Sequence, residues 1–100
     1  MGGTKHDNDK LRMDLVPPSA IEALAGVLGF GAKKYGDYNW KKGIKHSRLY
    51  AAALRHLMAY WQSNTFDDES GLNHLHHALS NIAMMIDSPE HDDRRTNENE

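Results

Sequence analysis

Proline stands at only three positions of this chain, Pro17, Pro18 and Pro89, and everything between residues 19 and 88 is free of it. Within that stretch apolar residues recur every three to four positions, the period of a helix rather than a strand. The punctuation divides it into three helices. Pro17-Pro18 keeps the incoming chain extended, and Ser19-Ala20-Ile21-Glu22 has capping-box spacing, with Ser19 as N-cap. Ile21, Leu24, Ala25, Leu28 and Ala32 then fall on one side. Lys33 and Lys34 suit the last turn, and Gly36 suits a left-handed end. Gly26, Gly29 and Gly31 point to the close approach of another backbone or a ligand, or to a kinked end.

A loop over residues 37–46 leads to a second helix from about Ser47 to Gln62. Its apolar side is Leu49, Tyr50, Ala53, Leu54, Leu57, Tyr60 and Trp61. An acidic turn, Asn64 to Asp68, offers Asp67 or Asp68 as a cap for a third helix from about Glu69 to Asp87, which stops before Pro89. The expected organisation is a flexible N-terminus (1–9), one helical domain (10–89) and a disordered polar tail (90–100). The fold class is all-α, three main helices in a small bundle with an extended N-terminal segment.

At 100 residues such a bundle buries a modest core with little left over to enclose a ligand. A site is therefore expected to be a shallow groove or to be completed by a second copy, a homo-oligomer. The absence of cysteine excludes disulfides and thiolate metal sites and fits a reducing compartment. A net charge of −2 is no electrostatic trap for a nucleic acid polymer. No apolar run is long enough for a membrane span, and the polar start is unlike a signal, so the expected location is the cytoplasm.

The third helix resolves into three stripes at about 100° per residue. Leu72, Leu75, Leu79, Ile82 and Ile86 form an expected core face, and Asn73, His76, Ser80 and Asp87 a polar one. The remaining line is Ser70, His74, His77 and Asn81, continued by Met84 and Met85. Solvated faces carry Lys, Glu and Gln, whereas short groups that both donate and accept suit a partly buried surface facing a ligand, a metal or another subunit. Seven histidines in so short a chain add to the anomaly. His74 and His77, at i and i+3, have metal-ligand spacing and Glu69 adds a carboxylate. Polar surface or a subunit contact is the commoner explanation of such a pair.

On the second helix Arg48, Ala52, Arg55, His56 and Ala59 share a side. Paired arginines separated by alanines leave room for an anion, and the guanidinium fork matches phosphate oxygens. The ordinary alternative pairs Arg55 with Asp67. Lys10, Arg12 and Asp14 alternate in the entry segment, so an extended backbone would put them on one side. Lys33, Lys34, Lys41, Lys42 and Lys45 surround Tyr35, Tyr38 and Trp40. Such interleaving holds phosphates while stacking a base, though a solvated loop with Trp40 tucked into the core would look the same.

The run KLRMDLVPPSAIEALAGVLGFGAKKYGDYNW, then SRLYAAALRHLMAYW and DDESGLNHLHHALSN, resembles the dATP/dGTP diphosphohydrolase N-terminal domain family, common in phage genomes. The resemblance covers about residues 10 to 87. It implies cleavage of purine deoxynucleoside triphosphates to monophosphate and pyrophosphate, a divalent metal (magnesium or manganese) and an oligomeric all-α architecture. The positions it marks are Lys10, Arg12, Asp14, Lys34, Tyr35, Gly36, Asn39, Trp40, Arg48, Arg55, His56, Glu69, Ser70, Gly71, His74, His77 and Asn81.

Two functions are expected to compete. In an enzyme, Asp67, Asp68 or Glu69 with His74 or His77 positions a divalent ion and activates water, while Arg48, Arg55 and nearby lysines neutralise developing charge. Glu69, His74 and His77 are then both the metal ligands and the catalytic set. Lys10, Arg12, Lys34, Tyr35, Asn39, Trp40, Arg48, Arg55, His56, Ser70 and Asn81 bind the ligand. In a sponge, the same residues capture a purine nucleotide or a nucleotide-derived signal without cleaving it, as a phage anti-defence protein would in host cytoplasm. The second helix contains no acidic residue, which favours capture. A purely structural oligomer, with the histidines touching only one another, is the weaker third reading.

Overall fold

The computed structural model describes residues 9–95; the expected flexible N-terminus, apart from Asp9, and the last five residues of the expected tail lie outside that range. Three helices form the body: α1 (Pro18–Tyr35), α2 (His46–Trp61) and α3 (His74–Asp87). Short 3-10 turns occur at Met13–Leu15, Asn39–Lys42 and Pro89–His91. The all-α class expected from the period is what the chain adopts. Its extended pairing among the described residues is a single isolated bridge, Phe66 to Asn73.

The entry segment is less extended than its alternation implies. Arg12 folds back on Asp14 through two bonds of 2.8 and 2.7 Å, and the chain turns at Met13 instead of spacing Lys10, Arg12 and Asp14 along one side. α1 also starts differently. Pro17 occupies the N-cap and Pro18 the first helical position, where its missing N–H costs nothing. Ser19 lies inside the first turn and no side chain caps it, so the capping box does not form. The other end is as expected: Gly36, at φ 94°, donates its N–H to Ala32 O at 2.8 Å and ends the helix.

α2 takes its cap from far along the chain. It begins at His46, and the Asp93 carboxylate accepts from the Ser47 N–H at 2.9 Å and from the Ser47 hydroxyl. An anion there satisfies an orphan amide and meets the positive end of the helix dipole. His46 Nε2 reaches Ser88 O at 2.9 Å. Residues 90–95, read from composition as part of a loose tail, are held against α2 by these contacts and by the turn at Pro89–His91.

The largest departure is at the start of α3. Asn73, not Asp67 or Asp68, is its N-cap, with Oδ1 accepting from Leu75 N at 2.8 Å. Asp67 N donates to Leu72 O and Gly71 N to Asp67 O, both at 2.8 Å, so residues 67–72 close into a turn. Gly71 sits at φ 73°, the left-handed conformation that such a reversal needs. Glu69 and Ser70 therefore precede the helix and stand on a loop.

α2 and α3 run antiparallel, and the polar stripe of α3 faces inward. Ala78, His74, Ser80 and Asn81 are buried, whereas Leu75, Ile82 and Ile86 of the expected core face are 38%, 43% and 76% exposed. Among the described residues the buried apolar ones are Val27, Leu49, Ala53 and Ala78, none of them aromatic and two of them alanine. Tyr50, Leu54, Leu57 and Trp61 form a second exposed apolar line on α2. Rotating α2 and α3 at about 100° per residue places both lines on the same side of the hairpin, away from α1. On α1 a Cβ added at Gly26, Gly29 or Gly31 meets nothing within 4 Å, so among the described residues no neighbouring backbone packs close against these glycines.

Candidate functional site

On its other side the hairpin meets α1 across a cleft of about 560 Å³. That volume lies in the range of small-molecule sites. Each wall contributes chemistry according to its helical phase. α1 supplies Lys34 and Tyr35 from its last turn, the following loop Asn39 and Trp40, α2 Arg48, Arg55 and His56, and α3 His77 and Asn81. Asp67 and Glu69 enter from the loop before α3. Ser70 and His74 lie just behind this lining, each bonded to a histidine in it. Lys10 and Arg12 are not part of the cleft wall. The remaining ligand-set positions thus converge from all three helices.

Asp67 organises one corner. Its Oδ2 accepts from the Ser70 N–H at 2.9 Å and from the Ser70 hydroxyl at 3.0 Å. The same hydroxyl oxygen lies 2.7 Å from His77 Nε2 and accepts from Leu72 N at 3.1 Å. An ionised carboxylate only accepts, so the serine proton points to Asp67 and His77 must carry its proton on Nε2. Nδ1 of His77 is left with a free lone pair. Burial pushes the Asp67 carboxyl up, but the two Ser70 bonds and the neighbouring histidines outweigh it and hold the group below its ordinary range. The sequence offers Asp67 both as a cap and, beside Asp68 and Glu69, as a carboxylate for a divalent ion; its Asp-x-x-Ser spacing is the signal that singles it out.

The histidines form a stack. His56 lies flat on His77, with ring centres 4.6 Å apart and planes 12° from parallel, and Phe30 meets His77 edge-on at 6.5 Å. His56 Nδ1 is 2.8 Å from His74 Nδ1, so one ring donates and the other accepts. Burial lowers the pKa of both His56 and His77; the other histidines lower His56 further, while Asp67 only partly offsets the effect on His77. Both are thereby biased to the neutral form. His74 is 7% exposed, and its Nε2 is buried with no hydrogen-bond partner. Asn81 Nδ2 donates back to His77 O at 3.0 Å, beside the Ser80 hydroxyl at 2.8 Å.

Across the cleft, Lys34 pairs with Glu69. Trp40 is half-buried, its Nε1 donates to Asp87 Oδ2 at 2.8 Å, and Tyr38 packs against it edge-on at 5.8 Å. Among the described residues neither the Arg48 nor the Arg55 side chain has a hydrogen bond or ion pair, so the alternative of an Arg55–Asp67 pair does not form. Three side chains could share a metal ion: the ligand atoms of His56, Asp67 and His74 all lie within 4.8 Å of one another. Of the expected metal set, His74 belongs to that group, His77 stacks beside it, and Glu69 is taken up by Lys34.

Residues 1–98 match the family described as dATP/dGTP diphosphohydrolase, N-terminal. The chain is 40% identical over 99 residues to a dATP/dGTP diphosphohydrolase of Salmonella phage PMBT28, an alignment covering 95% of this chain. It spans 34% of that relative's length. No solved structure matches.

Proposed function

Because the chain belongs to the dATP/dGTP diphosphohydrolase N-terminal family, we propose that its cleft binds the triphosphate of a purine nucleotide and assists its hydrolysis to monophosphate and pyrophosphate. One observation carries this: Arg48 and Arg55, without acceptors of their own, line the same cleft as the Asp67–Ser70–His77 chain. Arginine forks supply charge-assisted bonds to phosphate oxygens. Trp40 and Tyr35 offer aromatic faces for the base.

Neutral His77 has the lone pair on Nδ1 that a general base needs, and Asp67 through Ser70 fixes that tautomer. Water attacks the α-phosphorus as its proton passes to Nδ1. The new P–O bond forms while the bond to the bridging oxygen breaks, and pyrophosphate leaves against Arg48 and Arg55. Magnesium would find few protein ligands in this cleft. The ion takes about six oxygen ligands, commonly one or two carboxylates with waters and substrate phosphates. The lining holds two carboxylates, one of them paired with Lys34, so Asp67 would hold it and the nucleotide's phosphates would supply much of the rest. No step is assigned to it. The test is release of pyrophosphate from dATP or dGTP by this chain, compared with His77→Ala. Equal rates would refute the role of His77.

The same scarcity of carboxylates favours a second reading, capture of a nucleotide or nucleotide-derived signal without cleavage, as an anti-defence sponge in host cytoplasm. Ligand recovered intact after denaturation supports it, and consumption of the ligand excludes it. For the bare side of the hairpin we assign a second copy of this chain. Tyr50, Leu54, Leu57 and Trp61, and likewise Leu75, Leu79, Ile82 and Ile86, step by four, three and four residues, the spacing of a coiled-coil seam. Two such hairpins would close a four-helix bundle over the exposed leucines. Light scattering should give twice the chain mass, and Ile82→Asp should return it to one; a monomeric parent would refute the assignment.

A further inference from the structure

We propose that His56, Asp67 and His74 bind a borderline transition-metal ion, of the class of zinc or cobalt, in place of the magnesium that the family's reaction implies. The donor set decides the class. Two imidazoles and one carboxylate, in a chain without cysteine, suit zinc, cobalt or nickel and not a hard ion that wants oxygen alone.

The geometry requires small adjustments. Tetrahedral zinc with bonds of roughly 2.0–2.1 Å spaces its ligands about 3.3 Å apart. The Nδ1 atoms of His56 and His74, now 2.8 Å apart, would separate by about 0.5 Å to reach that spacing. The carboxylate would close by at most about 1.5 Å from the 4.8 Å limit that contains the three ligand atoms. Asp67 is prepared for this: Ser70 holds Oδ2, and among the described residues Oδ1 has no hydrogen bond. A carboxylate oriented by a serine is the usual outer support of a metal ligand.

His74 supplies the second, independent observation. Its ring is buried, and its Nδ1 meets only another imidazole nitrogen, so whichever of the two rings accepts holds a lone pair where the ion would sit. Three protein ligands leave the fourth tetrahedral position vacant, the arrangement of reactive rather than structural sites. That position opens toward the cleft, because His56 and Asp67 line it. The site does not depend on the nucleotide reading, since Arg48 and Arg55 can bind phosphate with or without the ion.

The experiment uses the tag-free chain stripped with chelator, titrated with cobalt and with zinc by calorimetry. The cobalt form is then read by visible and X-ray absorption. One ion per chain is expected, with the bands of tetrahedral cobalt and scattering from two imidazoles. His56→Gln and His74→Gln should each weaken binding roughly a hundredfold or more, and magnesium should neither bind nor displace the ion. Absence of binding, unchanged affinity in both variants, or an octahedral water-rich spectrum overturns the proposal. If the buried His74→Gln chain fails to fold, His56→Gln and the imidazole count of the parent decide: fewer than two imidazoles refutes it. Nucleotide affinity of the stripped parent, measured separately, shows whether the cleft reading stands or falls on its own.

Discussion

Replacing Ser70 with alanine removes one oxygen and three bonds. The hydroxyl donates to Asp67 at 3.0 Å, lies 2.7 Å from His77 Nε2 and accepts from Leu72 N at 3.1 Å. Neutral hydrogen bonds contribute about 0.5–1.5 kcal/mol each, and those to charged groups about 1.5–3. The three share one atom and do not add, and the Asp67 bond to the Ser70 N–H survives at 2.9 Å. The His77 side chain is only 13% exposed, so water replaces its lost partner incompletely. The net loss should be about 2–4 kcal/mol, a fall in melting temperature on the order of 10–20 °C for a domain this size. Urea unfolding followed by circular dichroism, at one fixed protein concentration, measures it. Ser70→Thr, which keeps the hydroxyl, should recover most of the stability. Nitrogen chemical shifts of His77 should show the Nε2–H tautomer losing its dominance in the alanine variant. A stability change within about 0.5 kcal/mol, the ordinary surface value, would refute the Asp67–Ser70–His77 chain as an organising element.

Arg55→Ala, which removes a guanidinium with no protein partner, should leave the unfolding midpoint unchanged and weaken nucleotide binding by about tenfold or more in calorimetry. The folded pKa values of His56 and His77 lie below the ordinary 6.5. The unfolded chain therefore binds more protons on the acid side, so stability is complete above about pH 6.5 and is lost as pH falls through the lowered values. Urea midpoints across that window should decline with acid, and a flat profile would contradict the burial of the stack. Gly26→Ala and Gly29→Ala, in open helical positions, should each stabilise by about 0.5–1 kcal/mol.

Helical period located three helices to within a few residues, except where a side chain overrode it. Phase alone carries α3 back to Glu69, because Glu69, Ser70 and Leu72 keep the helical period; the Asp67 grip on Ser70 and the left-handed Gly71 break it. The stripe of Ser70, His74, His77 and Asn81 was legible because its residue types are wrong for solvent. Its direction was not, since period shows that two faces differ without showing which is covered by α2. Arg48, Arg55 and His56 were legible for the same reason of phase. Asp67 was not separable from Asp68 and Glu69, because a loop carboxylate has no periodicity to place it. The Asp93 cap was the least accessible of all, as it joins positions 46 residues apart.

The molecule holds two tryptophans, and they sit in opposite surroundings. Trp40 is half-buried at the cleft with its indole N–H on Asp87, whereas Trp61 is 85% exposed at the end of the bare apolar line. Each side of the hairpin thus carries its own built-in fluorophore. With Trp61→Phe, emission reports only what enters the cleft; with Trp40→Phe, a blue shift reports only what covers the opposite face. Ligand capture and assembly can in this way be followed in one cuvette as separate optical signals.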